Sequence, residues 1–203
     1  MKIDITIINL NCNNIFSIYG LCQNFSKHTK IVSNYKSFNK NTDLIILPGV
    51  GAFTNAINTL KKNRLYEKIY EHVKIKNKKV IGICLGMQLL YESSEEFNLC
   101  KGFGFLKGKV IKLNPGKESF PNIGWKKIDT VNKRLKKFNK KNFYFIHSYH
   151  CNPIEKYTIT SSIKYNRKDI CASVEKNNII GTQFHPEKSG LDGINLFKNL
   201  LLK

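Results

Sequence analysis

Arginine is nearly missing from this 203-residue chain. Arg64, Arg134 and Arg167 are its only three, although 34 basic residues face 14 acidic ones and the net charge is +20. Base readout and bidentate phosphate clamping rely on the planar guanidinium fork. A basic chain built almost wholly on lysine lacks that tool. The lysines are scattered in pairs such as Lys61-Lys62, Lys78-Lys79 and Lys136-Lys137, with no recognised binding motif and no stacking platform of aromatics and arginine. No nucleic-acid partner is expected, and since Lys, Asn and Ile share AT-rich codons, the charge reads as genome composition. That hypothesis fails if the purified protein gives a salt-sensitive shift of labelled DNA at physiological ionic strength.

Long apolar runs are missing too. None approaches the roughly 20 residues that a spanning helix needs, so no membrane association is expected. Residues 1–10 carry one lysine and four isoleucines, but Asn9 and Asn11 cut the run short. Without an h-region or cleavage site, they read as a first strand in a cytoplasmic protein. The six cysteines, at positions 12, 22, 84, 100, 151 and 171, form no Cys-x-x-Cys pair. That argues against a zinc site and a disulfide framework, and no metal or cofactor is expected. What is present suffices for a core: 41% hydrophobic and 11% aromatic residues, recurring along the whole length, which excludes disorder. The length suits one domain spanning residues 1–203.

The first half alternates. Strands are expected at 3–8, 30–33, 43–47 and 79–83, with helices at 15–27, 54–63, 65–76 and 85–93. This order implies an α/β fold, an open, largely parallel sheet flanked by helices on both faces. The second half adds strands at 104–111, 126–129, 143–146, 157–163, 170–175 and 179–184. Short turns such as Lys176-Asn177-Asn178 suggest antiparallel pairing there. A last helix is expected at 191–202. The most basic stretch, 132–142, reads as a solvated surface loop or short helix.

Three stretches carry chemistry. In Gly82-Ile83-Cys84-Leu85-Gly86 a strand runs into an apolar helix through Gly-x-Cys-x-Gly, the nucleophile-elbow pattern with Cys in place of Ser. Glycines at i−2 and i+2 permit the sharp turn. Cys84 then stands at the carboxyl end of the sheet, facing a helix N-terminus that favours the thiolate. The Leu85 N–H, unpartnered in the first helical turn, could hold an oxyanion. Alone, the pentapeptide suits a buried structural cysteine equally well; the strand–turn–helix context favours a nucleophile. Phe184-His185-Pro186-Glu187 ends a strand with the base and the orienting carboxylate that a Cys nucleophile needs. His28, His72, His147 and His150 compete with His185, but only His185 ends an apolar strand with a carboxylate two residues on. Leu47-Pro48-Gly49-Val50-Gly51 places glycines at a strand's carboxyl end, where open α/β sheets bind ligands. It could give a second oxyanion donor. A phosphate loop is the rival, although neither Gly-x-Gly-x-x-Gly nor a P-loop Lys-Ser/Thr occurs.

Together these stretches resemble the class I (triad) glutamine amidotransferases, whose fold is flavodoxin-like, and among them the glutaminase subunits of imidazole glycerol phosphate synthases. The resemblance runs from the first strand to the last helix. It rests on LPGVGAF (47–53), GICLGMQLLYESSEE (82–96), FYFIHSY (143–149) and TQFHPEKSG (182–190). It implies that Cys84 attacks the carboxamide of glutamine, that His185 acts as base and then as acid to ammonia, and that Glu187 orients His185. It further implies an oxyanion hole from the Val50-Gly51 backbone and the Leu85 N–H. Gln88, Glu96, Ser148 and Tyr149 would hold glutamine. It also implies a partner, a cyclase subunit with a (β/α)8 barrel, which receives the ammonia and makes imidazole glycerol phosphate and aminoimidazole carboxamide ribotide in histidine biosynthesis. Asn14, Trp125, Tyr144 and Lys188 fall in segments expected at that interface.

The chain departs from the family in two places. The loop after the first strand, usually Asp-Tyr-Gly-x-Gly-Asn, is Asn9-Leu10-Asn11-Cys12-Asn13-Asn14, and the usual Pro-His-x-Gly-Trp-Asn is Pro121-Asn122-Ile123-Gly124-Trp125-Lys126. Asn tolerates positive φ best among residues other than glycine, so Asn11 and Asn13 are expected to keep the turn. A paralogous glutaminase feeding another synthase, such as a surface-sugar-modifying enzyme, has the same active-site motifs and stays open on the sequence.

Overall fold

The computed structural model describes residues 3–11 and 14–202. Its main sheet starts from short apolar segments. β1 (Ile5–Ile8) and β3 (Leu44–Leu47) are buried at every position, the mark of central strands covered on both faces. β2 (Thr29–Val32) is half open at the edge, and β4 (Lys79–Ile83) and β14 (Ile179–Thr182) complete the parallel part. The order is β2-β1-β3-β4-β14, continued antiparallel by β13 (Lys168–Lys176), β12 (Ile159–Tyr165) and β9 (Asp129–Thr130). A second sheet has the order β11-β7-β5-β6, built from β5 (Tyr91–Ser94), β6 (Cys100–Lys101), β7 (Leu106–Lys112) and β11 (Tyr149–Pro153). β8 (Asn122–Lys127) and β10 (Asn142–His147) pair antiparallel by themselves.

Two cores cover the main sheet. On one, α1 (Ile15–Gln23) and α5 (Gly190–Leu201) pack Ile18, Leu21, Leu196 and Phe197 against Ile5, Ile7, Ile46 and Ile81. On the other, α2 (Phe53–Lys62), α3 (Tyr66–Tyr70) and α4 (Leu85–Leu89) meet Ile8, Ile45, Leu47 and Val80. Neighbours in β1 and β3 divide between the cores because strand side chains alternate. Burying one such Ile or Leu stabilises the fold by roughly 1.5–3 kcal/mol.

The topology positions the site. β3, β4 and β14 are adjacent and parallel, with Leu47 opposite Gly82 and Thr182 opposite Ile83. The Pro-Gly-x-Gly, Gly-x-Cys-x-Gly and His-Pro-Glu stretches therefore leave the sheet side by side from three carboxyl ends.

Several sequence expectations need correction. The helix expected at 85–93 ends with Leu89, and Tyr91–Ser94 is a strand pairing β7 and β6. Pairing there buries Tyr91, Ser93 and Ser94, which a longer helix could not do. The helix expected at 65–76 is α-helical only over Tyr66–Tyr70 and then widens to a π-turn at Glu71–Ile75. The first helix stops at Gln23. The basic stretch 132–142 is not merely solvated: its 3₁₀ turn, Lys133–Phe138, inserts Leu135 and Phe138 into a core. The turn at Lys176-Asn177-Asn178 joins antiparallel strands as expected, with Asn177 at φ 54°.

Candidate active site

Cys84 stands between β4 and α4 at φ 54°, ψ −109°, a sparsely populated conformation that costs roughly 1–3 kcal/mol. Its surroundings impose the strain. Its N–H donates to Thr182 O at 2.7 Å. A Cβ on Gly86 would lie 1.7 Å from Leu47 O, and one on Gly82 would lie 2.6 Å from the Gly86 backbone. Both glycines of the elbow are thus required by backbone approach. Because α4 is only five residues long, its dipole adds less to a thiolate than a full helix would.

Cys84 lines a cleft of about 380 Å³, within the usual range of small-molecule sites. The seven residues expected to bind substrate are all on its wall. Val50, Gly51 and Leu85 come from the glycine loop and elbow, Gln88 from α4, Glu96 from just beyond β5, Ser148 from between β10 and β11, and Tyr149 from the start of β11. Glu96 also accepts the Phe53 N–H at 2.7 Å, closing the N-terminus of α2. Gln88 Nε2 donates to Tyr149 O at 2.9 Å and to Gln183 Oε1 at 3.2 Å. The Leu85 N–H is not free: it donates to Gly49 O at 3.3 Å. The sequence gives no sign that the glycine loop folds back onto the helix start.

His185 lies behind the cleft, with its side chain wholly buried. Its Nδ1 donates to Glu187 Oε1 at 2.7 Å. The two meet through a 3₁₀ turn, Pro186–Lys188, not as alternate residues of an extended strand. Burial disfavours the charged ring, but the charges of Cys84 and Glu187 outweigh it and raise the His185 pKa to about 10. Nε2 makes no well-aligned hydrogen bond among the described residues; Cys84 acts on the ring foremost through its charge. His147, the competitor on the cleft wall, is different. Its Nδ1 donates to Tyr149 O at 2.8 Å, its Nε2 accepts from Asn122 Nδ2 at 2.9 Å, and burial pushes its pKa down to about 4. It is a neutral, fixed wall residue. Asn122, one of the departures from the family pattern, holds it there.

Of the four residues expected at a partner interface, Trp125 and Lys188 are exposed, and Tyr144 is half-buried with its ring 6.0 Å from that of Trp125. Asn14 is not on the surface. It is 7% exposed, and its Nδ2 donates to Glu187 Oε1 at 2.8 Å. Asparagine is a favoured helix cap, yet this side chain makes no cap bond to α1. Asn11 adopts φ 58° as the turn requires; Cys12 and Asn13 lie outside the described residues. Sequence reasoning also passed over Gln183, which is fully buried and donates from Nε2 to Cys84 Sγ at 3.6 Å. Its only sequence signal was its place two residues before His185. Among the described residues no cluster of His, Cys, Asp and Glu could hold a metal, and no helix is long and apolar enough to cross a membrane.

The glutamine amidotransferase class-I family matches residues 11–203. The imidazole glycerol phosphate synthase subunit HisH 2 of Vibrio vulnificus is 40% identical over 97% of this chain and 93% of its own length. The HisH subunit of Oceanobacillus iheyensis is 40% identical over 96% of each chain, and that of Pelagibacter ubique 36% identical over 98% and 99%. Among solved structures, PurLQS from Thermotoga maritima superposes with a TM-score of 0.78 at 21% identity, covering 100% of both chains. A glutamine amidotransferase superposes at 0.76 with 12% identity, covering 97% of each. At those identities the likeness shows the fold alone.

Proposed function

The chain belongs to the class-I glutamine amidotransferase family, and within it to the HisH subunits of imidazole glycerol phosphate synthase; from that premise we propose how its residues perform the glutaminase reaction. Cys84 Sγ attacks the carboxamide carbon of glutamine, forming a C–S bond and a tetrahedral oxyanion. The C–N bond then breaks as His185 gives its proton to the leaving ammonia. Water, deprotonated by His185, hydrolyses the thioester to glutamate. Glu187 holds the imidazolium through Nδ1, and the raised His185 pKa keeps the ring protonated. The oxyanion is received by backbone N–H groups of Val50, Gly51 and Leu85. Leu85 can contribute only after its N–H leaves Gly49 O. Gln88, Glu96, Ser148 and Tyr149 bind the rest of glutamine.

Ammonia passes to a cyclase subunit with a (β/α)8 barrel, which makes imidazole glycerol phosphate and aminoimidazole carboxamide ribotide in the cytoplasm. The docking surface is the β8–β10 face with Lys188. There Ile123 and Trp125 are 52% and 55% exposed, and Tyr144 is joined to the site through its carbonyl, which accepts the His185 N–H at 2.9 Å. One observation carries the proposal: a strained cysteine on the cleft floor is backed by a buried His–Glu pair. An electrophilic glutamine analogue should label Cys84 in the wild type and nothing at that position in Cys84→Ser. Glutamine should protect. Labelling that ignores glutamine would contradict the assignment.

A further inference from the structure

Gln183 is fully buried at the end of β14, and its backbone N–H is used by Ala172 O at 2.8 Å. Its side chain touches two site residues at once. Nε2 donates to Cys84 Sγ at 3.6 Å, and Oε1 accepts from Gln88 Nε2 at 3.2 Å. The direction of this chain is fixed from outside. The Tyr149 carbonyl can only accept, so the Gln88 group 2.9 Å from it is the NH₂ end. That NH₂ then requires the oxygen of Gln183 as its other partner, which leaves the Gln183 NH₂ for sulfur. At the far end Gln88 Oε1 makes no hydrogen bond among the described residues and is not sealed from the cleft that Gln88 lines.

We infer that Gln183 is a positioning residue: its amide links the Cys84 sulfur to the Gln88 amide in one polarity, so that the nucleophile receives an N–H and the cleft is offered a carbonyl. The sulfur gains a donor that strengthens as it becomes a thiolate. Gln88 is held with its acceptor toward the ligand, which suits a substrate presenting N–H groups there, as an amino acid amide does. Reversing either amide would set two donors or two acceptors face to face. The substrate half of this inference rests on the glutaminase reading; the sulfur half does not.

Two near-isosteric variants of the full chain separate the roles. Gln183→Glu keeps an oxygen for Gln88 Nε2 but removes the donor to sulfur. Gln183→Met removes both. Iodoacetamide alkylation of Cys84, followed by peptide-resolved mass spectrometry, should slow about tenfold in both, taking a hydrogen bond to a charged group at its lower value. In glutaminase assays Gln183→Glu should lower kcat with KM held, whereas Gln183→Met should lower kcat and raise KM several-fold. Wild-type alkylation in the folded variants overturns the inference, as does an equal rise of KM in both. If glutamine is not the substrate, the KM comparison is silent while the alkylation result stands. If neither variant folds, Gln88→Met removes the donor on the Gln183 oxygen: several-fold slower alkylation supports the linkage, and an unchanged rate refutes it.

Discussion

Replacing Glu187 by Gln isolates the charge behind His185. Glu187 Oε1 accepts from two donors, His185 Nδ1 at 2.7 Å and Asn14 Nδ2 at 2.8 Å. Its Oε2 is buried without a hydrogen-bond partner among the described residues. A glutamine there has one comfortable orientation, with its oxygen toward both donors and its NH₂ at the Oε2 position. The opposite orientation would point NH₂ at two N–H donors, so Asn14 guards the His185 tautomer. Geometry is thereby kept and only charge is lost. A hydrogen bond to a charged group contributes about 1.5–3 kcal/mol against about 0.5–1.5 for a neutral one. The difference of about 1–2 kcal/mol corresponds to roughly 5- to 30-fold in kcat, with KM unchanged. The sign for pH follows. The Glu187 charge helps raise the His185 pKa to about 10 from 6.5, so the ring would lose its proton at lower pH in the variant. The alkaline fall in kcat should therefore move down. Steady-state glutaminase kinetics across pH 7–10 with the activating partner present would measure both effects. Wild-type kcat would show that the charge is idle. A loss beyond about 10³-fold would show that the amide reverses and that Asn14 guards nothing. Adding Asn14→Ala to Glu187→Gln should cost more than the two single losses multiplied.

Two further outcomes test the scaffold. Gly86→Ala would place a methyl 1.7 Å from the Leu47 carbonyl oxygen, which no rotamer can relieve; the urea midpoint should drop by an equivalent of roughly 1–3 kcal/mol or more, and an unchanged midpoint would refute the elbow geometry. His72 is buried with Nε2 3.0 Å from Lys79 O, and burial lowers its pKa from 6.5 to about 4. A depressed histidine favours the folded state above pH 6.5, and that contribution is lost as pH falls from 6.5 through about 4, because the unfolded chain takes up the proton first. Urea midpoints should decline over that window, and His72→Gln should flatten the decline; a variant with the wild-type slope would clear His72 of the effect.

The parallel half of the fold was legible because its strands are continuous apolar runs between amphipathic helices. Ile5–Ile8, Leu44–Leu47 and Lys79–Ile83 need no partner to be recognised. The elbow was legible for the same reason, since glycine spacing around Cys84 is a local requirement of a tight turn. Tyr91–Ser94 was misread as helix because its strand character comes from pairing with residues 100–101 and 106–110, which local pattern does not report. Asn14 was placed at an interface because the resemblance puts its loop there; Glu187 is distant in sequence, and only the packing of α1 against the 3₁₀ turn at Pro186–Lys188 brings them together. Gln183 was passed over, and the wall role of His147 was not foreseen, for a related reason. Each acts through hydrogen bonds to other elements, and neither has a spacing signature of its own.

The most direct test of the account is release of glutamate and ammonia from glutamine by the wild type and Cys84→Ala. Each is assayed alone, and then with the barrel cyclase of the same genome and its nucleotide ligand. The account predicts that partner and ligand together switch on a glutaminase in the wild type that Cys84→Ala lacks, with ammonia recovered in imidazole glycerol phosphate. A cyclase that neither binds nor activates the chain, while glutamine is still hydrolysed through Cys84, would contradict the histidine-pathway assignment and point to another ammonia acceptor.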